Sequence, residues 1–450
     1  MVNKIKDILK IGLPIMMGQA CIIILAFADN IMLGWYGVNE LAAASFVNGV
    51  LNLLIMTELG FTCGMTPIIG AKYGRNDIDG IGKTLKNGLL LNSIVAVLSI
   101  FILIAIYFNL HRFGQDKNLL PLIKPYFAIV GISTIFALGF NTLKQFTDGI
   151  CKTMVAMVIL MGGNLLNILG NWFLIFGKAG FPEMGLLGAG ISTLAARAIM
   201  LIAFAIYIFT SKSLRKYATA LKSAVIDKSS SKHLYNMGYP LALQTFMETS
   251  TFTASTVMVG WLGAVSLAAH QIAMTISQLF FMMLLGLSSA TSVLISGAYG
   301  KQNVNDIKGY AINGYILSLL FSATTCVIIY IFRYNVIGMF TDSPEVTGIS
   351  VSLLFVLFTY QFGDCLQLIF SNSLRGIQDV RPIMAMAFIS YYLIAIPAAY
   401  LLGFKTEMGI IGIWAGFPIG LTIAGLFYFA RFNIQVRKIR QTILSKPSKN

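Results

Sequence analysis

Charge is what this sequence has least of: 11% of its 450 residues are Asp, Glu, Lys or Arg, where soluble domains carry about 25%. A soluble enzyme of this length is excluded, because its surface could not be covered with polar groups. Cysteine is also sparse. Cys21, Cys63, Cys151, Cys326 and Cys365 are odd in number, scattered, and form no CxxC pair. A disulfide-stapled domain and a thiolate metal site are therefore excluded, and the five read as small apolar packing residues. Of the three histidines, His111 and His233 fall in polar stretches and His270 opens an apolar run. No HExxH and no Ser/His/Asp grouping occurs. The segment Gly80-Ile81-Gly82-Lys83-Thr84 lacks the spacing and the preceding strand of a phosphate-binding loop, so ATP-driven transport by this chain alone is not expected.

What is present is apolar surface, 57% of residues, with a mean hydropathy of +0.80. A helix of about 20 apolar residues fills the hydrocarbon core of a bilayer. Twelve such runs are expected, near 11–36, 42–68, 84–108, 121–143, 153–176, 184–210, 235–261, 266–298, 307–332, 347–371, 382–404 and 408–432. The fold class is an all-α polytopic membrane protein. The first run is too long for a signal peptide and no small-x-small cleavage site follows it, so it reads as a retained helix. The net charge of +15 is not one basic stripe, and nucleic acid is not expected as a partner. Of the 32 Lys and Arg, 25 lie in the two tails and one set of alternate loops. Six lie in the opposite loops, and Arg197 lies within a run. This asymmetry places both termini in the cytoplasm.

The chain also repeats itself. Residues 11–44 align with 237–270: Pro14 with Pro240, Gly34-Trp35 with Gly260-Trp261, and Leu41-Ala42-Ala43 with Leu267-Ala268-Ala269. The offset of 226 persists through Gly60/Gly286, Tyr73-Gly74/Tyr299-Gly300 and Gly88/Gly314. It becomes 227 at Gly149/Gly376 and 224 at Gly188/Gly412. A repeat of six helices enters the membrane twice from one side. Two six-helix lobes about a pseudo-two-fold along the membrane normal, enclosing a central cleft, are therefore expected. The expected bounds are an N-terminal lobe over 1–210, a basic cytoplasmic linker over 211–233, a C-terminal lobe over 234–432 and a basic tail over 433–450.

An ionisable side chain inside a bilayer costs about 2.5–3.5 kcal/mol on insertion scales, so each is a functional candidate. Four carboxylates lie within the runs: Asp29, Glu58, Glu248 and Asp364. In the fifth run, Asn164, Asn167 and Asn171 share a helical face. Together with Asp29 they offer oxygen ligands for a small hard cation. Gln244 and Glu248 share a face of the seventh run, and Tyr360 and Asp364 a face of the tenth. Two acids and a phenol suit an organic cation by charge and by cation–π contact. Mutual repulsion would let one acid exchange a proton for cargo. Glu58 has only Thr57 and Thr62 near it at helical spacing and reads as a helix-end or cross-helix hydrogen-bond partner. Arg197 reads as snorkelling or pairing with an acid.

The segments GLPIMMGQ…FADNIMLGWYGVNELAA, YPLALQTFMETSTFTASTVMVGWLGAVSLAAHQIA, GNLLNILGNWFLIFG and YQFGDCLQLIFSNSLRGIQDVRP resemble the multidrug and toxic compound extrusion (MATE) family, over nearly the whole chain. The resemblance implies twelve helices in two lobes and export of cationic, often aromatic compounds against Na⁺ or H⁺. By resemblance, Asp29 matches the first-helix acid of an N-lobe cation site, with Asn167, Asn171 and Thr193 as its amide and hydroxyl partners. Glu248 and Asp364, with Tyr360 beside Asp364, match the C-lobe acids of the NorM-like branch. The DinF-like branch usually carries an Asp where this chain has Asn171, a departure that favours the NorM-like assignment.

The expected function is secondary multidrug efflux by alternating access, without catalytic residues, cofactor or ATP. The coupling ion would be Na⁺ or H⁺, and the partners small cationic amphiphiles and the lipid bilayer. A monomer in a prokaryotic inner membrane is expected. A lipid-linked oligosaccharide flippase would want basic residues for pyrophosphate. A membrane-embedded enzyme would want a His/Asp cluster at an interface. Neither is visible.

Overall fold

The computed structural model describes residues 2–113 and 119–445; the last five residues of the expected basic tail, 446–450, lie outside the described residues. Among the described residues the chain is helical throughout. The long helices are α1 (Val2–Tyr36), α2 (Val38–Thr62), α4 (Ile78–Asn109), α5 (Leu120–Gly149), α6 (Thr153–Phe176), α7 (Leu186–Thr210), α9 (Lys228–Gly260), α10 (Ala264–Gly300), α11 (Val304–Gly338), α12 (Pro344–Gly376) and α15 (Gly409–Leu444). Shorter ones are α3 (Met65–Gly74), α8 (Arg215–Ser223), α13 (Arg381–Ala387) and α14 (Ile396–Phe404). Among the described residues eleven helices are long and apolar enough to cross a membrane. The seventh expected run, which is not among these eleven, falls in α9, which is more polar because it carries Gln244, Glu248 and a row of Ser and Thr.

Two expected runs are not continuous. The second divides at Cys63-Gly64 into α2 and α3. Gly64 weakens the helix, and Pro67, lacking an N–H, is at home in the first turn of the next one. In the eleventh, α13 and α14 are joined by a π-helical segment, Phe388–Ala395. Its i→i+5 bonding is rare and concentrates at functional positions. Elsewhere, proline sits inside helices at Pro14, Pro125, Pro240 and Pro418. Neighbouring helices in a bilayer re-satisfy the backbone groups that proline frees.

The repeat is written into the backbone. Asn76 (φ 58°) and Gln302 (φ 57°), 226 residues apart, are both left-handed. So are Cys151 (φ 61°) and Gln378 (φ 65°), 227 apart, and Gly185 (φ 54°) and Gly409 (φ 55°), 224 apart. The caps recur too. Asp77 accepts from the Gly80 N–H at 2.8 Å to start α4, and Asn303 accepts from the Asp306 N–H at 3.1 Å to start α11. Such side-chain caps satisfy donors that a helix start leaves open.

The chain forms two compact units: Met17–Ala242, and Met1–Met16 together with Leu243–Asn450. In the first, the core gathers Leu33, Val47, Leu51, Ile123, Phe127, Ile175 and Leu186 from α1, α2, α5, α6 and α7. The stretch 211–233 falls within this unit. Its α8 leads to Asp227, which pairs with Lys83 at 3.0 Å, and the Asp227 N–H donates to Asn87 Oδ1 at 3.0 Å. In the second unit, Ile8, Ile11 and Ile15 of α1 pack on Leu287, Ala290 and Val293 of α10. Lys4–Asp306 at 2.8 Å and Tyr310–Asp7 at 3.0 Å add polar ties between α1 and α11.

Candidate functional site

In the N-terminal unit, three helices bring the sequence-predicted residues together. Asn164, Asn167 and Asn171, one turn apart on α6, are all buried. Asn171 Nδ2 donates to Asp29 Oδ1 of α1 at 2.5 Å. Turned with its nitrogen toward the same carboxylate, Asn167 lies 3.1 Å from Asp29 Oδ1. Its oxygen then accepts from the Thr193 N–H of α7 at 3.1 Å, with Thr193 Oγ1 at 3.2 Å. Asn171 Oδ1 is buried without a partner. The result is a carboxylate clasped by two amides, with one amide oxygen left open. Asn164 shares their face, but its Nδ2 is unpaired. Among the described residues no group of three or more His, Cys, Asp or Glu could hold a metal ion. A hard monovalent cation would depend here on amide and hydroxyl oxygens.

In the C-terminal unit, Gln244, Tyr360 and Asp364 are buried, and Asp364 lies within electrostatic reach of Glu248. Glu248 Oε1 and Gln244 Oε1 have no hydrogen-bond partner. The Tyr360 hydroxyl is spent on Ser277 of α10. Its ring packs 6.1 Å from Phe417 and 6.4 Å from Trp414, an aromatic wall. A cavity of about 10 Å³, the space of one water, opens beside Glu248 between Thr251, Phe252, Tyr391 and Phe417. A larger groove, about 600 Å³, runs between Trp261 of α9 and Tyr400 of α14 and has no ionisable acid in its lining.

Several residues here escaped sequence reasoning. Tyr391 and Tyr392 come from the π-helical segment. Gln367 Nε2 donates to Tyr391 Oη at 2.9 Å, and Tyr392 shares a 2.6 Å hydrogen bond with Ser250. No periodicity points to them, because the π turn shifts the register. His270, expected near the helix start with no role, is fully buried between Thr256 and Trp414. Asp148 of α5 is a further buried carboxylate: its Oδ2 pairs with Lys144 at 2.6 Å, while its Oδ1 has no partner. Glu58 of α2 is buried, and its Oε1 has no hydrogen-bond partner. Arg197 does not snorkel: its Nη1 donates inward to Ser133 Oγ at 2.8 Å.

A family model, MatE, matches residues 14–173 and 240–401, two stretches that begin at the repeat-related Pro14 and Pro240. The chain is 28% identical over 434 residues to a multidrug resistance protein NorM of Photobacterium profundum, covering 95% of this chain and 94% of the relative. It is 29% identical over 433 residues, 95% of each chain, to a probable multidrug resistance protein NorM of Bacillus subtilis. A solved structure described as the outward-facing conformation of a multidrug resistance MATE family transporter of the MOP superfamily shares the fold. Its TM-score is 0.87, with 20% identity and 97% of each chain covered.

Proposed function

The chain belongs to the MatE family, and we propose that it is a multidrug efflux transporter that exports small organic cations against Na⁺ or H⁺. The observation that carries this reading is the Asp29 carboxylate held by Asn171 and Asn167 inside an apolar, multi-pass helical protein. A carboxylate is expensive there, and hydrogen bonds alone do not explain retaining it. An acid that takes up and releases a cation does. Glu248 and Asp364, beside the aromatic wall of Tyr360, Trp414 and Phe417, are the counterpart in the C-terminal unit and suit a cationic aromatic cargo.

In this reading the N-terminal lobe spans 1–210 and the C-terminal lobe 234–432, joined through 211–233. Both termini face the cytoplasm of a cell with an inner membrane. The chain acts as a monomer, without cofactor or catalytic step. Cargo loads on the acids of the inward-open state. A cation from outside then neutralises the acids and displaces the cargo, with the lobes alternating access. Coupling requires only that cargo and cation bind the two states differently. The membrane potential adds about 2.3 kcal/mol per charge per 100 mV.

The test is ethidium efflux from proteoliposomes under a Na⁺ gradient and, separately, a pH gradient, with Asp29→Asn and Asp364→Asn beside the wild type. Efflux under one gradient, lost in both folded variants, is expected and identifies the ion. Wild-type efflux from both variants overturns the assignment.

A further inference from the structure

The stretch between the two sequence repeats carries a basic surface that the transport reading leaves unused. Residues 211–233 hold six Lys and Arg and a single acid, Asp227. Asp227 pairs with Lys83 of α4 at 3.0 Å, so it does not offset the six. Lys212, Arg215, Lys216 and Lys222 are all exposed. Among the described residues none of the four makes an ion pair.

Helix α8 turns these charges outward. Tyr217, Ala218 and Ala220 form its buried side. The Tyr217 ring meets Phe146 of α5 edge-on at 5.8 Å. Gly82 of α4 lets the helix in, because a Cβ there would meet the Ala220 backbone at 2.5 Å. Arg215, Thr219 and Lys222, four and three residues apart, share the opposite, exposed side. Just past α8 the chain presents two aliphatic side chains in succession: Val225 is 73% exposed and Ile226 55%. Facing water, this pair would leave apolar surface uncovered.

Two contacts set the depth of the segment. Lys86 Nζ of α4 donates to the Ala224 carbonyl at 2.6 Å. From Asn87 to Asn109 that helix has no charged residue, so Ala224 is level with the last charge before an apolar span. The Lys222 ammonium lies 5.7 Å from the ring centroid of Phe209, at the end of the apolar run of α7. Both contacts place the segment where hydrocarbon gives way to headgroups, and at that height the medium outside the protein is lipid.

We propose that α8 and the residues following it, as far as Ile226, form a docking surface for anionic phospholipids. Arg215, Lys216 and Lys222 take the headgroup phosphates, and Val225 and Ile226 enter the acyl boundary. Apolar burial together with attraction to anionic lipid holds a basic segment in an interface. A zwitterionic lipid covers the aliphatic pair and leaves the cations uncompensated. A soluble anion does the reverse. Helix α9, which carries Glu248, begins two residues beyond Ile226 at Lys228, so a bound headgroup also steadies its first turn.

The test uses the full chain in nanodiscs of phosphatidylcholine, with and without phosphatidylglycerol, each variant checked for monodispersity. Two quantities are read: hydrogen exchange over residues 211–233, and retention of phosphatidylglycerol against phosphatidylcholine by the detergent-purified protein in native mass spectrometry. Phosphatidylglycerol should slow the exchange and be retained in preference, and raised salt should abolish both effects. Arg215→Gln, Lys216→Gln and Lys222→Gln should each weaken phosphatidylglycerol retention about fivefold, the effect of one basic side chain at an anionic surface. Val225→Ser with Ile226→Ser should weaken it with the basic residues intact. Lys178→Gln, an exposed charge beyond the other end of α7, should change neither quantity. Equal exchange in the two nanodiscs, or no preference between the lipids, overturns the proposal. So does an equal loss from Lys178→Gln, which would leave a diffuse charge effect. Protection by inorganic phosphate in lipid-free detergent would make this a soluble-anion site and overturn the lipid assignment. Neither quantity depends on efflux, so failure of the transport reading leaves this surface to be decided separately.

Discussion

Trp414 Nε1 donates to His270 Nδ1 at 3.0 Å, and this bond fixes the histidine tautomer. An indole N–H can only donate, so Nδ1 must accept and the ring proton sits on Nε2. That proton is available to Thr256 Oγ1 at 2.9 Å, whose own hydrogen goes to the Phe252 carbonyl at 3.1 Å. His270 thereby holds the indole against Tyr360 and Phe417, the wall beside Asp364.

Replacing His270 by Phe should leave the Trp414 N–H buried and unpaired. The expected cost is about 1–3 kcal/mol, seen as a lower midpoint in thermal unfolding of the detergent-purified protein. An unchanged midpoint would show that the indole finds another acceptor.

Asn171 is the closest partner of Asp29, and its free Oδ1 is an open oxygen ligand. Asn171→Leu keeps approximate volume and removes both functions. Partners that orient a cation ligand typically contribute about 10–100-fold in affinity, so the driving-cation concentration for half-maximal efflux should rise by that factor. Cargo binding measured without a gradient should change little.

The paired glycines Gly188 and Gly412 mark close helix approaches. A Cβ at Gly188 would meet the Leu174 carbonyl oxygen at 2.5 Å, and one at Gly412 would clash with the Leu402 carbonyl. Backbone cannot yield as a flexible side chain does. Alanine at either position should destabilise by about 1–3 kcal/mol, measured as loss of folded yield and a lower melting temperature. Alanine at Gly162, which has open space around it, serves as the control.

Asp227 lies outside the membrane spans and is held at about 2 by its hydrogen bonds to Lys83 and Ser230. Its folded value is below the ordinary 3.9 or so. The stabilisation is therefore complete above about pH 4 and is lost as the pH falls through about 2. Hydrogen exchange over residues 224–231 should be flat from neutrality down to about pH 4, after correction for intrinsic rates, and then accelerate. Asp227→Asn should exchange faster already at neutral pH.

Much of the architecture was legible because it follows from one-dimensional pattern. Apolar runs of bilayer length have few alternatives to helix, since a bilayer leaves backbone groups no other partner. The repeat offset of 226, read from Pro14/Pro240 and Tyr73/Tyr299, returns as matched left-handed turns at Asn76 and Gln302. The isolated acids could be singled out for the same reason: a carboxylate in an apolar run is conspicuous in sequence. Asn167 and Asn171 were legible because they lie one helical turn apart on a single face.

Other features depend on which helix faces which, and no local pattern encodes that. The sequence placed Arg197 within a run but could not show whether it reaches a helix end or an acid; packing of α7 on α5 aims it at Ser133. Glu58 has few polar neighbours in sequence, and only packing buries it to 6% exposure. His270 acquires its partners from α9 and α15, through Thr256 and Trp414. The π-helical segment that delivers Tyr391 to Gln367 changes the helical period itself, so periodicity points elsewhere. The sequence alone determined that the chain crosses a bilayer as a duplicated set of helices carrying a few carboxylates, because solvation by lipid acts on each residue separately. Tertiary structure decided which amides, hydroxyls and aromatic rings lie beside those carboxylates, because hydrogen bonds and ring packing act between residues that only packing brings together.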